Sequence, residues 1–449
     1  MTFLHAILVF VVVAPGAAFA ILASLWMVGW SPRERVVSWL TGLTFLGCTL
    51  GVGALAWIML WSRDRSAVVV TFGNWFGVGD YHFPLVLIAD HLSLPFLALA
   101  AVLSGLIGHF SASYLHRESG FLRFFLLLHL FAFGSLLAFA SGSFDLLAAG
   151  WEIVGITSVL LIGFFQLRAA PVENGLRVFS IYRACDIGLL VGVFAMHHWA
   201  GTASFDHGFP NLTGNQAFIA CLLLLLAAVG KAAQVPFSGW LPRAMEGPTP
   251  SSAIFYGAIS IHAGAYLLLR AQPLLARSAL GSTLVILIGA ATAIHGTIVG
   301  RASSDAKTSL AYATLTQVGV VFMEIGLGWK WLAVAHILGN ATVRTMQYLR
   351  APSMLHDYHQ MYSAIGTKLA PTGKQFEELL PERVQLWLYR WAFDRGHLDT
   401  ILDRWVIDPL LQVSSYFARH DRIGMSWTAM QPRNTAPIAL QGQAKQGSD

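Results

Sequence analysis

"GKAAQVPFSGWLPRAMEGPTP", residues 230–250, decides how this chain is read. The residues before it, "QAFIACLLLLLAAVG" (216–230), are apolar enough to lie in lipid, and then Lys231 appears. Pro236 follows five residues later. Proline has no amide hydrogen to donate, and its ring clashes with the carbonyl four residues back, here that of Ala232. A helix through this stretch is therefore expected to open beside Lys231, freeing backbone carbonyls that need protein or water partners. Discontinuous helices next to charged groups are how transporters build sites at membrane mid-depth. A lysine set between burial, which disfavours charge, and a carboxylate, which favours it, can hold and release a proton; an arginine cannot.

The rest of the chain supports a membrane setting. Of 449 residues, 56% are hydrophobic and 11% charged, and the mean hydropathy is +0.61. Soluble domains carry roughly a quarter charged residues. The fold class expected is an all-α polytopic membrane protein with about 11 spans (11–13), each near the ~20 residues a bilayer requires. The spans are expected at 3–30, 37–61, 85–112, 121–141, 144–167, 177–199, 216–240, 250–271, 278–299, 306–328 and 331–349. The first has no basic n-region and reads as a helix, not a cleaved signal peptide. "SAVVVTFGNWFGVGDYHFPLVLI" (66–88) alternates and carries glycines, so a short extracytoplasmic hairpin is expected there. Basic residues are modestly more frequent in odd-numbered loops. By the positive-inside rule this puts the N-terminus outside and the C-terminus in the cytoplasm.

Four segments follow: N-terminal helices and hairpin (1–84), a transmembrane core (85–350), an amphipathic cytoplasmic-side segment (351–424) and a polar tail expected to be disordered (425–449). The third, around "LPERVQLWLYRWAFDRGHLDTILDRWVIDPLLQVSSYFARHDR" (380–422), mixes aromatic residues with charges at near-helical spacing and is expected to lie along a surface. His356, Asp357, His359, Trp387 and Trp391 are its candidate partner-docking residues.

An ionisable side chain deep in a span costs roughly 2.5–3.5 kcal/mol, so such residues are functional candidates. Glu152 lies about 12 Å into its span at 1.5 Å per residue. Arg183 and Asp186 share a helix face at i and i+3, a spacing that serves a structural salt bridge as well as a relay. His262 and His336 can pass protons near neutral pH or simply pack. Glu324 and His295 complete the titratable set, and Arg344 would be a fixed electrostatic post. Neither "HHWAGTASFDHG" (197–208) nor "HDYH" (356–359) has four-ligand metal spacing. Cys48, Cys185 and Cys221 lie far apart in apolar spans, which argues against a disulfide framework or an iron–sulfur site. There is no Walker loop, no GxGxxG, no nucleophile–base constellation and no basic stripe for nucleic acid. No cofactor and no catalysis are expected in this chain.

"WEIVGITSVLLIGFF", "RACDIGLL", "GKAAQVPFSGWLPRAMEGPTPSSAIFYGAISIHAGAYL" and "DAKTSLAYATLTQVG" resemble the proton-pumping, antiporter-like (NuoL-like) membrane subunits of respiratory complex I and multisubunit cation/proton antiporters. The resemblance runs from about residue 85 to 350. It implies that Glu152 and Lys231 are the carboxylate–lysine pair central to proton translocation and that Asp186 is the family's helix-six aspartate. There are departures: Tyr256, Asn340 and Arg344 stand where the family usually has histidine, histidine and lysine. After residue 350 the family continues into a second broken helix, where this chain turns amphipathic.

"HILGNATVRTMQYLRAPSMLHDYH" and "LPERVQLWLYRWAFDRGHLDTILDR" are similar to an offshoot, the membrane subunit (DabB) of two-component inorganic-carbon accumulators. That resemblance implies a DabA-like partner similar to a zinc β-carbonic anhydrase, which holds the zinc. Proton or sodium flow through the membrane subunit would then drive one-way conversion of CO2 to bicarbonate. Two alternatives stand beside it. One is a subunit of a quinone oxidoreductase or a cation/proton antiporter; the other is a non-conducting scaffold whose charges are merely paired.

Overall fold

The computed structural model describes residues 3–61, 67–79, 81–205, 209, 211–303, 305–365, 381–413 and 415–417, with backbone alone between 352 and 365. The side chains of His356, Asp357 and His359, and the whole 425–449 tail, therefore lie outside what is described. Among the described residues, ten helices are long and apolar enough to cross a membrane. They are α1 (Phe3–Met27), α2 (Glu34–Trp61), α3 (Ser93–Tyr114), α4 (Phe121–Phe139), α5 (Phe144–Ile162), α6 (Ala169–Ala200), α7 (Gly214–Lys231), α8 (Thr249–Arg270), α9 (Ala279–Ala302) and α10 (Ala306–Gly326). The protein is a multi-pass membrane protein. The expected eleventh span, 331–349, is the first part of the 36-residue α11 (Lys330–Ile365), which is not among the ten.

Two spans are corrected at their ends. The helix expected from residue 85 starts at Ser93, because "YHFPLVLIA" forms strand β2 (Tyr81–Ala89), antiparallel to β1 (Val68–Val78). The hairpin is thus a real element and takes the apolar run that looked like membrane. It is tied down at one end of the bundle: Ile88 donates to the Ala140 carbonyl (2.7 Å) and Gly142 to that of Val86 (2.8 Å). The second correction is at 216–240, where α7 ends at Lys231.

Four helix starts carry their own signal. Ser143, Thr213, Ser278 and Asp305 accept from the first-turn amides of α5, α7, α9 and α10, and Thr213 with Gln216 forms a capping box. Lipid is as apolar as leucine, so close contact and not water exclusion holds such helices together. α9 and α10 are an example. A side-chain carbon on Gly289 would lie 2.5 Å from the Gly319 carbonyl oxygen, and one on Gly319 2.6 Å from that of Gly289. Only glycine at both positions lets the backbones meet.

At the end away from the hairpin, α12 (Glu382–Phe393) is the expected amphipathic helix. Trp387 is exposed, as a docking residue requires. Trp391 instead turns inward, edge-on to the buried His295 at 5.5 Å.

Candidate functional site: a broken helix between two polar clusters

Pro236 breaks the helix as its chemistry demands, and the surrounding residues repair the damage. The Ala232 carbonyl, displaced by the proline ring, accepts from the Gln234 side-chain amide (2.9 Å). The Gly230 carbonyl accepts from the Trp240 indole (3.0 Å), and the Val235 amide donates to the Thr292 hydroxyl (3.0 Å). The chain resumes as a short stub, Phe237–Gly239, Trp240–Arg243 and Ala244–Glu246. Gln234 and Trp240 were legible in the opening stretch as polar-capable groups beside a proline. Their role as caps for freed carbonyls was not inferred from it.

Lys231 is the last residue of α7 and is fully buried. Its ammonium donates to the Trp151 carbonyl (3.2 Å) and sits 4.3 Å from the Tyr182 ring centroid and 4.8 Å from that of Trp151. Two aromatic faces stabilise the cation in place of water. Among the described residues it forms no ion pair within 4 Å. Glu152 and Lys231, the pair that the resemblance implies, are not in direct contact. Arg183 stands between: it binds Glu152 and, at 2.8 Å, Asp186. Asp186 also accepts from the Trp151 indole (2.6 Å), so the same tryptophan contacts the carboxylate with its side chain and the lysine with its backbone. The first cluster is thus Glu152–Arg183–Asp186–Trp151–Lys231, built from α5, α6 and the end of α7.

The second cluster lies on α8, α10 and α11. His336, Asn340, Arg344 and Tyr348 recur every four residues on α11 and so share one face. His336 contacts Glu324 through Nδ1 (2.9 Å) and Gln317 through Nε2 (2.8 Å). A ring held between a carboxylate and an amide keeps both contacts in either protonation state, because the amide can present oxygen or NH2. Asn340 joins His336's helix to His262, its Nδ2 lying 3.1 Å from the His262 Nε2. The His262 Nδ1 lies 2.6 Å from the Ala258 carbonyl. A carbonyl only accepts, so Nδ1 carries the hydrogen and Nε2 takes the amide's. Arg344 points elsewhere, donating to Gln347 (2.7 Å) and the Ala313 carbonyl (3.2 Å).

The two clusters are linked by buried aromatic side chains. Tyr182 lies edge-on to Trp240 (5.2 Å), and Trp240 to Tyr256 (5.8 Å). Tyr256 sits in a π-helical turn, Ala253–Ala258, inside α8. Tyr348 packs against Gly257 of the same turn. The titratable candidates thus form two groups, and neutral groups able to donate and accept lie between them. His295 belongs to neither: it contacts Ser238 of the stub (3.1 Å) and Trp391. Among the described residues no group of three or more His, Cys, Asp or Glu could hold a metal.

A carboxylate at the far end of the stub was not anticipated. Asp399, in a short helix, Leu398–Leu402, binds Arg243 (2.8 Å), Arg395 (3.2 Å) and Arg177 (3.7 Å), and Asp403 binds Arg177 as well. Its carboxylate lies directly against Gly239, where no Cβ fits. We expect Gly239→Ala to push the 381–417 segment off the stub, raising hydrogen exchange in α12 while α3–α6 stay protected. Unchanged exchange in α12 would show that Asp399 does not hold it.

Comparison with known proteins agrees with this geometry. A family model described as the transmembrane part of NADH:quinone oxidoreductase/Mrp antiporter proteins matches residues 141–370, just over half of the chain. The chain belongs to that family. A second model, the N-terminus of complex I chain 5, matches residues 75–125. NADH-quinone oxidoreductase subunit L of Mycobacterium tuberculosis is 34% identical over 327 residues, covering 70% of this chain and 52% of that protein. The Campylobacter jejuni subunit L is 33% identical over 313 residues, covering 69% and 52%. This chain therefore spans about half the length of the curated relatives it matches. Among solved structures, the Mrp complex from Dietzia sp. DQ12-45-1b is similar, with a TM-score of 0.63 and 25% identity over 75% of this chain and 37% of that one. The archaeal membrane-bound sulfane sulfur reductase shares the fold, with a TM-score of 0.64 at 19% identity over 76% of this chain and 70% of that one. The matched 141–370 region contains Glu152, Arg183, Asp186, Lys231, Pro236, His262, Glu324, His336 and Arg344.

Proposed function

We propose that this chain is the cation-translocating subunit of a larger membrane assembly, and that the cation is the proton. The observation that carries the reading is Lys231: an amine at the fracture of a membrane helix, held by two aromatic faces and one carbonyl, one residue contact away from a carboxylate pair. Protons would load at the Glu152–Arg183–Asp186 cluster, pass Lys231 and the buried tyrosines, and reach the Glu324–His336–His262 group. Sodium is the competing cation; proton uptake measured with and without sodium separates the two. The bundle end bearing α12 is read as cytoplasmic, and any catalysis is assigned to partner chains.

The relatives' names favour an assembly of the quinone oxidoreductase or Mrp antiporter kind. One feature favours the second reading, coupling to a DabA-like zinc partner that hydrates CO2. It is the 381–417 segment, which packs under the broken helix through Asp399 and Trp391 and leaves Trp387, Tyr389 and Phe393 exposed for another chain. Affinity purification of the tagged chain from its native membrane decides between them. Flavin or iron–sulfur proteins in the eluate, or several antiporter-like membrane subunits, support the first reading. A single soluble partner carrying stoichiometric zinc by metal analysis supports the second and removes the first.

A further inference from the structure

We propose that Asp145 and His197 form a proton-binding site of their own at the hairpin end of the α5–α6 pair, outward of the Glu152–Arg183–Asp186 cluster. The inference rests on the proton-translocating reading above and extends it to the point of entry.

The two side chains are almost fully buried, and the His197 Nε2 lies 2.8 Å from the Asp145 Oδ1. Asp145 is in the first turn of α5 and His197 in the last turn of α6, so both helix dipoles favour the charged forms, carboxylate and imidazolium. The His197 Nδ1 and the Asp145 Oδ2 have no hydrogen-bond partner among the described residues. Each group therefore keeps one unused position for a proton or its carrier.

Placement connects this pair to the deeper cluster twice. Asp145 precedes Glu152 by seven residues, two turns on one face of α5 and about 10 Å along its axis. Ala148 and Ala149, the residues between them on that face, are too short to fill it. On α6, His197 follows Asp186 by eleven residues, about three turns, which again returns to the same face. The α5–α6 seam thus carries two carboxylate–base levels, one above the other. Outward, the His197 ring meets Phe83 (4.7 Å) and Tyr81 (6.2 Å) of β2, and the Tyr81 hydroxyl lies 3.4 Å from Nδ1 of the exposed His198. Tyr81 and the exposed His198 thus stand on the outward side of the buried pair.

A neighbouring ion pair sharpens the assignment. Asp90–Arg270 also lies at this end, the arginine buried and the aspartate half-buried, and its guanidinium lies 4.9 Å from the ring centroid of Phe205, which packs edge-on against Phe144. Arginine does not give up its proton, so that pair can only brace. An imidazole nitrogen can both bind and release a proton. Of the two pairs, only Asp145–His197 can carry. In the step envisaged, a proton from the bath bonds to the bare Nδ1 of neutral His197. The Nε2–H bond then breaks as a bond from that hydrogen to Oδ1 of Asp145 forms. The ring ends neutral with its hydrogen on Nδ1, and Asp145 ends as the acid.

The test uses full-length protein with its co-purifying partners, in right-side-out and inside-out vesicles that expose opposite ends to the bath. Uptake is followed with a pH-sensitive dye. The wild type is expected to conduct, and Lys231→Met to stop it. Asp145→Asn and His197→Gln are each expected to slow uptake by about 10- to 100-fold. They should also alter its dependence on bath pH, in the vesicle orientation that exposes the hairpin end. His197→Arg separates relay from brace, since it keeps a cation on Asp145 but cannot titrate. A His197→Arg chain that elutes like wild type in size exclusion yet conducts poorly supports the site. Wild-type uptake and pH profile in His197→Arg, or in Asp145→Asn, overturn it. Absence of uptake by the wild type overturns the translocation reading instead, and uptake above half the wild-type rate in Lys231→Met removes Lys231 from the path, so these failures are distinguishable from that of the site.

Discussion

Lys231→Met is expected to leave the protein folded and assembled while proton uptake falls by about 100-fold, the lower end of what a positioned proton-transfer group contributes. Methionine fills nearly the same volume and packs well between the Trp151 and Tyr182 rings. It also removes a buried charge, and replacing buried charges by apolar groups is often neutral or stabilising. The fold should therefore not suffer. What disappears is the one group at the helix break that can be protonated and deprotonated. Lys231→Arg is expected to fail as well, because a permanently protonated fork cannot cycle, and its five donors do not fit a site offering one carbonyl. Uptake above half the wild-type rate in Lys231→Met vesicles would remove Lys231 from the path.

Arg270→Leu is expected to give the largest loss of stability, about 3–5 kcal/mol, the usual cost of removing one partner from a buried pair. Arg270 grips Asp90 with both arms of its guanidinium (2.6 and 3.0 Å) and donates to the Tyr266 hydroxyl (2.9 Å), which donates in turn to the Phe139 carbonyl (2.7 Å). Asp90 also accepts from the Leu92 and Ser93 amides at the start of α3. One arginine thus ties the ends of α3, α4 and α8. Burial by itself would raise the Asp90 carboxyl, but the charge and hydrogen bonds of Arg270 outweigh it and hold the group below the ordinary carboxylate range. The folded value is the lower one, so this stabilisation is complete above the unfolded value of about 4. It is lost as pH falls through the folded value. Thermal unfolding in detergent should show that acid-side loss in the wild type and lack it in Arg270→Leu. Equal melting temperatures for the two proteins at neutral pH would refute the assignment.

Most of the membrane architecture was legible because lipid imposes a length and a composition on every span. The break at Pro236 was legible because proline's missing hydrogen is a local fact. Other features depended on directions that spacing does not fix. Arg183 was expected to pair with Asp186 and does; its reach to Glu152, which displaces Lys231 from direct contact, depends on how α5 and α6 are rotated. Arg270 stands at the edge of the expected 250–271 span, and only packing against Asp90 makes it internal. The hairpin at 66–88 was legible from its alternation and glycines, but the point where its second strand gives way to α3 was not, because the run from 85 suits a membrane helix equally well. Trp391 illustrates the same limit on the surface segment, where one aromatic faces out and the next one turns in.

The π-helical turn at Ala253–Ala258 holds one residue more than ordinary winding would allow over the same rise. Everything on α8 beyond it is consequently offset by about 100° in azimuth relative to a regular continuation. His262 toward Asn340, Tyr266 toward Phe139 and Arg270 toward Asp90 all take their bearing from that surplus residue. Were the extra residue to migrate along the helix, each side chain it passed would swing round by that same angle. A single wandering defect could thus turn a histidine at one depth while the arginine bolt two turns farther on kept its aim.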